Sequence, residues 1–376
     1  YQGYYANGLI DRNLIWEKIK EFNFGVDFSV LQNRINLTAD TYRRLSDGQI
    51  MKATVPLETG EGSITTNIGA VRNTGIELGL NLGVIRNKNF TWDVNLAFAR
   101  NWSKITELPN GDDVSNNWFI GERLNVLRDY TSAGIITTDG ITMRTKDGDR
   151  HYTLQEVYDT FGPGGQGLKW YEGQMAVNDW NNDGKINDED KQIFGCTDPK
   201  WTGSLSSTMT YKGFDFSFML YTKQGQWSRS YFHEQYMNYG DRGRQKVNFD
   251  YYIPAGTPVL DKNTGDVTYL SEAHIGKYPY PNNTEKTGGG YFSSSSAAVR
   301  YHKTSFVKVK NITLGYTFPK AWLSKIAVKH LRLYVNVINP FCFTDYEGFD
   351  PEWASANLTN GGPASVTYQI GANIKF

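Results

Sequence analysis

Apolar and polar residues alternate with a period of two along most of this chain. In the segment at 22–30, Phe22, Phe24, Val26 and Phe28 lie at even positions, whereas Asn, Gly, Asp and Ser fill the odd ones. The same alternation recurs at 34–42, 75–85, 90–100, 213–220, 311–318, 330–337 and 365–376. Successive side chains of a strand point to opposite faces of a sheet. A period of two therefore predicts β-strands with one apolar and one polar face.

Three further features indicate strands that cross a membrane rather than a soluble sandwich. The alternating segments extend over roughly ten to fourteen residues, against about 5–6 in typical strands and about 9–11 in a tilted bilayer crossing. Short connections alternate with long ones, as in outer-membrane barrels, and Phe376 closes the last segment. The short connections are 31–33, 86–89 and 211–213, and the long ones are 47–69, 105–200, 224–303 and 342–364. The prediction is an all-β fold, an antiparallel transmembrane β-barrel with long extracellular loops.

Strand direction can be followed along the chain if the short connections are periplasmic. About nine crossings result, with the last one ending in the periplasm. Complete bacterial barrels have an even number of strands, and an open sheet would leave unpaired edges in lipid. Tyr1 also reads as the tail of a loop that enters a strand. We therefore expect residues 1–376 to be the C-terminal portion of a larger barrel, with 105–200 and 224–303 as large extracellular loops.

Composition excludes several other classes of protein. Lys plus Arg and Asp plus Glu both number 39, so a nucleic-acid partner is not expected. Aromatic residues make up 14% of a chain whose mean hydropathy is −0.52, which suits a surface divided between lipid and water. Cys196 and Cys342 lie far apart in sequence and have no metal-site spacing, and whether they pair is left open.

The motif DWNNDGKINDED at 179–190 has the spacing of a calcium loop. Carboxylate and amide oxygens at alternate positions can converge on one cation, with Gly184 allowing the sharp turn. The predicted ligands are Asp179, Asn181, Asp183, the carbonyl of Lys185, and Asp190. The predicted role of Ca²⁺ is structural, because we expect these loops to have little hydrophobic core of their own. The alternative is an Asx-rich turn held by local hydrogen bonds.

Several aromatic residues in the long loops are candidates for contact with a ligand or partner. They are Trp170, Tyr171, Trp180, Trp227, Tyr231 and Tyr236. Their rings could stack on the apolar faces of sugars, or they could pack within the loops or against a partner protein. A short helix is expected within 227–240. His233 and Glu234 begin an H-E-x-x-H pattern, but the chain lacks its second His, and no other catalytic set is evident, so an enzyme is not predicted.

Five stretches resemble SusC-type TonB-dependent transporters, in order and over nearly the whole chain. They are LIWEKIKEFNFGVDFSVLQNRINLTADTYRR at 14–44, VPLETGEGSITTNIGAVRNTGIELGLN at 55–81, VNDWNNDGKINDEDKQIFGCTDPKWTGSLSSTMTYKGFDFSFML at 177–220, SFVKVKNITLGYTFPKAWLSKI at 305–326 and TYQIGANIKF at 367–376. The resemblance implies a 22-stranded barrel in the outer membrane of a Gram-negative bacterium. It also implies a plug and a TonB box, neither of which lies in this sequence.

The resemblance further implies import of an oligosaccharide, or of an oligopeptide as in some members, powered through TonB. A SusD-type surface lipoprotein would cap the barrel, and loops 105–200 and 224–303 are expected to contact it. The rival hypothesis is a secreted all-β binding or adhesion module with a calcium-stiffened loop.

Overall fold

The computed structural model describes most of the chain. The described residues are 9–67, 69–108, 111–162, 167–236, 250–261, 263–280, 297–324, 328–355 and 364–376. Within them, no helix is both long enough and apolar enough to span a bilayer.

Nine long strands form one antiparallel sheet in which each strand pairs with the next long strand along the chain. They are β1 (Lys18–Val30), β2 (Ile35–Asp47), β3 (Ala70–Arg86), β4 (Phe90–Glu107), β5 (Trp201–Tyr211), β6 (Phe214–Gln224), β7 (Phe306–Thr317), β8 (His330–Phe343) and β9 (Thr367–Lys375). The predicted fold class and strand count are confirmed, because the observed strands fall on the segments expected from alternation.

The pairing register places apolar side chains opposite one another across eight strands. Each member of this apolar row is the Cα partner of the next. The row runs Phe28, Leu37, Leu80, Leu96, Leu205, Leu220, Val309 and Phe341. A one-residue slip between any two strands would move a whole strand's apolar set to the other face, so the row fixes the register of the sheet.

The other face of the sheet is polar. The row one residue away contains Ser29, Asn36, Asn81, Asn95 and Ser206, again as successive partners. Ser29 Oγ donates to Asn36 Oδ1 at 2.7 Å, and Asn95 Nδ2 donates to Ser206 Oγ at 3.3 Å. This separation of an apolar from a polar face over the first five strands is typical of a strand-built wall between lipid and an aqueous interior.

Aromatic residues lie at both ends of the apolar face. Tyr316 packs on Phe214 at the short-turn end, with ring centroids 4.6 Å apart. Trp102 lies towards the end of β4, and Tyr368 near the start of β9, both at the long-loop end. Such placement matches the aromatic girdles that flank the apolar band of outer-membrane barrels.

Short and long connections alternate between the nine strands. The turn between β5 and β6 consists of Lys212 and Gly213, both with positive φ (47° and 92°). Positive φ at both central residues is the geometry of a tight hairpin whose twist matches that of the paired strands. The connection between β7 and β8 is longer than the other turns at this end and contains the short helix Lys320–Leu323.

The long connections carry short elements of their own. Their strands are Ile50–Thr54, Ser63–Asn67, Val126–Asp129, Ser132–Ile135, Ile141–Thr145, Gly148–Tyr152, Met175–Val177, Gln192–Cys196, Trp227–Arg229, Pro258–Leu260, Val267–Tyr269 and Tyr301–Lys303, and a further short strand, Leu9–Ile10, precedes β1. Their helices are Leu154–Phe161, Tyr231–Tyr236 and Ala297–Arg300, with 3₁₀ turns at Leu57–Thr59, Leu168–Trp170, Asp188–Asp190 and Pro351–Trp353. The predicted short helix within 227–240 is therefore present at Tyr231–Tyr236.

Arginine substitutions on the two faces of β3 test the membrane orientation of the sheet. Leu80→Arg should destabilise the barrel by about 2–4 kcal/mol, because the side chain would be forced towards the centre of the bilayer. Asn81→Arg, one residue away on the polar face, is the matched control and should be tolerated much better. The measurement is the free energy of unfolding of the full-length protein in lipid vesicles. Equal destabilisation by both substitutions would contradict this orientation.

Candidate functional site

The connection between β4 and β5 contains a small packed unit with its own hydrophobic core. The fully buried members of this core are Ile136, Met143, Val157, Tyr171 and Ala176. Met143 and Ala176 lie on strands, Ile136 and Tyr171 directly follow a strand and a 3₁₀ turn, and Val157 lies on the helix Leu154–Phe161, which is capped by Thr153 through a reciprocal bond with Glu156. The expectation that this loop has little core of its own is therefore wrong. Its scattered apolar residues look like loop residues in sequence and converge only once the hairpins form.

The calcium-type loop lies against this unit, with two of its carboxylates fully buried. Asp179 accepts from the backbone N–H groups of Asp183 (3.2 Å) and Gly184 (2.9 Å). Asp190 accepts from those of Asn181 (3.3 Å) and Asn187 (2.8 Å). Both carboxylates have zero solvent exposure. Burial raises the pKa of Asp190, and the nearby Asp179 carboxylate acts in the same direction, against the lowering effect of the backbone hydrogen bonds.

The remaining predicted ligands make local turns. Asn181 Oδ1 accepts from Asp183 N at 3.1 Å, and Asp183 Oδ1 accepts from Lys185 N at 2.8 Å. These are the Asx hydrogen bonds expected from a self-supporting turn. Across the described ranges, no three or more His, Cys, Asp and Glu side chains gather as a metal-binding group. The donor set still suits a hard cation, because each buried Asp oxygen has a further lone pair beyond its backbone hydrogen bond.

Among the candidate aromatic residues whose side chains the structure describes, Tyr171 is buried and the others are half-buried. Tyr171 is fully buried, and Trp170 packs edge-to-face on it with ring centroids 5.0 Å apart. These two rings therefore pack within the loop, which was the alternative to stacking on a sugar. Trp227 lies against Phe194 at 5.5 Å, and the Arg229 guanidinium lies over the ring of Tyr231 at 5.2 Å. Trp180 is half-buried at the edge of a cavity. The side chain of Tyr236 lies outside the described residues.

The cavity beside Trp180, called here the Trp180 cavity, has a volume of about 460 Å³. It lies between the strands Ser132–Ile135 and Ile141–Thr145, the calcium-type loop and the strand Gln192–Cys196. Its lining residues are Thr131, Ser132, Ala133, Thr142, Arg144, Asp149, Asn178, Trp180, Gln192, Ile193 and Phe194. Arg144 and Asp149 were not predicted as site residues. The only sequence signal for Arg144 is the alternation over 141–145. It places Arg144 on the face of the strand opposite to Ile141 and Met143.

A second cluster joins segments from two long connections, β6–β7 and β8–β9. The rings of His233 and His302 stack with centroids 3.6 Å apart and planes at 17°. His233 Nδ1 lies 2.6 Å from Ser230 Oγ, and its Nε2 lies 3.2 Å from the hydroxyl of Tyr278, which donates a short hydrogen bond to Glu347. Burial, helped by His302, lowers the pKa of His233 to about 3. Burial also lowers the pKa of His302, against the raising effects of the Val299 carbonyl and Glu347. The imidazole pair thus packs in its neutral form.

A buried ion network ties the connection after β8 to the wall of the sheet. Lys308, on β7, donates to both oxygens of Asp350 at 2.9 and 3.0 Å and to Glu352 at 2.5 Å. Lys310 reaches the same Glu352 at 2.8 Å. Removing one partner of a buried ion pair typically costs about 3–5 kcal/mol, since the other charge is left buried. The network therefore holds this connection over the long-loop end of the strands.

The two cysteines do not pair. Cys196 is buried at the end of a strand in the β4–β5 connection, Cys342 is exposed on β8, and both thiols are free.

The family of the chain follows from this architecture and from a direct comparison. A family model described as TonB dependent receptor-like, beta-barrel matches residues 1–339. The chain belongs to this family, whose members are outer-membrane β-barrel proteins of Gram-negative bacteria and act as receptors and transporters, not as enzymes.

Individual relatives confirm the resemblance that was recognised from the motifs. TonB-dependent receptor SusC of Bacteroides thetaiotaomicron is 29% identical, with 97% of this chain and 32% of that protein covered. TonB-dependent receptor P39 of Formosa agariphila is 28% identical, covering 97% and 36%. A structure of the RagAB peptide transporter superposes with a TM-score of 0.64 at 20% identity, covering 96% of this chain and 36% of that one, and supports the fold. The chain spans about one third of the length of these relatives.

The stacked histidines predict acid-sensitive loop packing. An unfolded His has a pKa of about 6.5, and that of His233 is about 3 in the fold. Neutral His233 therefore stabilises the cluster above about pH 6.5, and this contribution is lost as the pH falls towards 3. Protection against hydrogen–deuterium exchange in 226–236 and 299–305, after correction for the pH dependence of the intrinsic exchange rate, should fall between pH 7.5 and pH 4.5. The control is His330→Asn, at the exposed start of β8, which should leave this profile unchanged. Protection factors that do not change with pH would contradict the prediction.

Proposed function

We propose that this chain forms part of the wall and the extracellular loops of a SusC-type importer, which moves an oligomeric nutrient across the outer membrane. The observation that carries the proposal is the apolar row, which crosses eight adjacent strands and is flanked over the first five of them by a polar row. A secreted sandwich would have no use for an uninterrupted lipid-compatible face of this width. Membership of a family of membrane barrels favours the same choice.

The proposed cargo is an oligosaccharide, with an oligopeptide as the second candidate. The peptide candidate draws on the names of the RagAB structures, which share the fold at 20–22% identity. The proposed energy source is TonB, which would act through a plug that lies outside this sequence.

The proposed partner is a SusD-type lipoprotein that caps the long-loop end. The hairpin Pro258–Leu260 with Val267–Tyr269 offers a surface for it, because all six residues are exposed. Leu260 and Tyr269 are exposed at 60% and 70%. Exposed apolar patches on water-facing segments mark sites of protein association.

We propose a structural Ca²⁺ in the loop at 179–190, held by Asp179, Asn181, Asp183, the Lys185 carbonyl and Asp190. Support comes from the two buried carboxylates, which lie near enough to act on each other electrostatically and accept hydrogen bonds from backbone N–H groups of the loop rather than from a positively charged side chain. Because the loop packs against a core of its own, the ion would fix one edge of that unit rather than replace a core.

A double substitution in the hairpin tests the partner. Leu260→Lys with Tyr269→Lys should reduce co-purification of the lipoprotein with the full-length transporter, because two charges would replace the apolar contact. Trp322→Lys, an equally exposed position at the short-turn end, is the control and should have no effect. Full co-purification of the double variant would refute docking at this hairpin. Deleting 227–240 is a poorer test, since it would also remove the buried Phe232 and His233.

Import is tested by growth on oligosaccharides or casein peptides as sole carbon source. Growth that needs neither this transporter nor TonB would refute the import proposal.

Calcium titration of the purified protein tests the cation. We expect one site with a dissociation constant of about 10⁻⁴–10⁻³ M, the range of extracellular modules. Asp179→Asn should weaken binding by at least about tenfold, because a ligand charge is lost. Asp188→Asn removes an exposed carboxylate of the same loop, which pairs with Lys191 at 2.6 Å, and should leave binding unchanged. If isothermal calorimetry detects no saturable Ca²⁺ binding, the cation proposal is refuted and the motif is only an Asx-rich turn.

A further inference from the structure

The Trp180 cavity has the size of a site for a small ligand or for one segment of a larger ligand. Its volume of about 460 Å³ falls within the range of about 300–1,000 Å³ of typical small-molecule pockets. The cavity lies within the packed unit of the β4–β5 connection, on the long-loop side of the sheet.

Two charged side chains in the cavity have unused hydrogen-bonding capacity. Arg144 and Asp149 are direct partners in the hairpin of Ile141–Thr145 with Gly148–Tyr152, and both are exposed. Among the described residues, neither the guanidinium nor the carboxylate has a hydrogen-bond or ion-pair partner. They supply opposite charges side by side, so the cavity offers strong donors and strong acceptors with little net charge.

An aromatic ring completes the cavity. The half-buried indole of Trp180 contributes to its lining, and Ile193 and Phe194 add apolar surface. The backbone of Trp180 is fixed, because its carbonyl accepts from Lys146 N at 2.8 Å. The ring therefore lies beside the Arg144 and Asp149 pair on a held main chain rather than on a free loop.

Asn178 also lines the cavity, and both ends of its side-chain amide are hydrogen-bonded within the protein. Its Oδ1 accepts from Arg144 N at 2.8 Å, and its Nδ2 donates to Thr131 Oγ1 at 2.9 Å and to the Ser132 carbonyl at 3.2 Å. This buried amide joins the two strands that bound the cavity. A site whose walls are locked by such secondary contacts is organised before a ligand arrives.

We propose that the Trp180 cavity binds one or two sugar units of a neutral oligosaccharide. This proposal rests on the import function proposed above and gives its first candidate cargo a binding site on this chain. A sugar ring offers an apolar face to an indole and hydroxyl groups that both donate and accept hydrogen bonds. Arg144 donates to such hydroxyls and Asp149 accepts from them. A charged ligand would gain from one of these side chains and be opposed by the other.

In this proposal the calcium-type loop orients the indole of Trp180. Trp180 lies between Asp179 and Asn181, two of the proposed ligands of the cation. Fixing those neighbours would fix the direction of the indole, so binding of sugar should strengthen when Ca²⁺ is present.

The test uses the full-length transporter with its lipoprotein in detergent. It compares the affinity of the wild type with that of Trp180→Ala and of the control variant Trp322→Ala. The probes are maltoheptaose, xylohexaose, laminarihexaose and hexa-alanine, each followed by calorimetry and by saturation-transfer NMR. At least one of the neutral oligosaccharides should bind, and Trp180→Ala should weaken it about tenfold or more, equivalent to about 1.4 kcal/mol. Trp180→Phe should restore part of the affinity, because it keeps an aromatic face, and Trp322→Ala should match the wild type. Arg144→Gln should weaken binding without changing expression.

Three results would overturn the inference. They are equal oligosaccharide affinity in Trp180→Ala and wild type, binding of hexa-alanine alone, and weakening by Trp322→Ala to the same extent. None of these touches the import proposal, which fails only if TonB-dependent growth on both oligosaccharides and peptides is absent.

Discussion

The structure depends on a single register of strand pairing. Leu80 opposes Leu37 on one side and Leu96 on the other, and Leu205 continues the row beyond Leu96. Because side chains alternate strictly, this row brings Asn36, Asn81 and Asn95 together on the opposite face. The register thus decides at once which surface meets lipid and which meets water. It also places every long connection at one end, where the loops can pack on one another.

The loops illustrate how segments from separate connections become one surface. His233 and His302 come from the two ends of the β6–β7 connection, while Glu347 follows β8, yet they share one hydrogen-bonded cluster. Lys308 and Asp350 fasten the last connection to the wall of the sheet. The packed unit between β4 and β5 has its own core, which allows it to hold a defined cavity beside a calcium-type loop. Binding sites on barrels are commonly carried by loops that a rigid scaffold positions.

The candidate site could be predicted only in part. The spacing of the Asp and Asn residues at 179–190 is local, so the motif was readable, but the burial of Asp179 and Asp190 was not. The aromatic residues were chosen by type and loop position, which do not encode burial. Trp170 and Trp180 look equivalent in sequence. One packs on the buried Tyr171, and the other borders a cavity.

The sequence by itself determined the nine strands, their ends and their two faces, because period-two alternation and turn residues such as Lys212 and Gly213 act over short distances. Family membership could likewise be predicted, because the motifs that indicate it are contiguous in sequence. Only the tertiary structure decided which loop residues meet. Arg144 and Asp149 become neighbours through a hairpin, and Asn178 joins them to Thr131 through hydrogen bonds between distant segments. Contacts of this kind depend on the free energy of packing several segments together, which no local pattern of residues records.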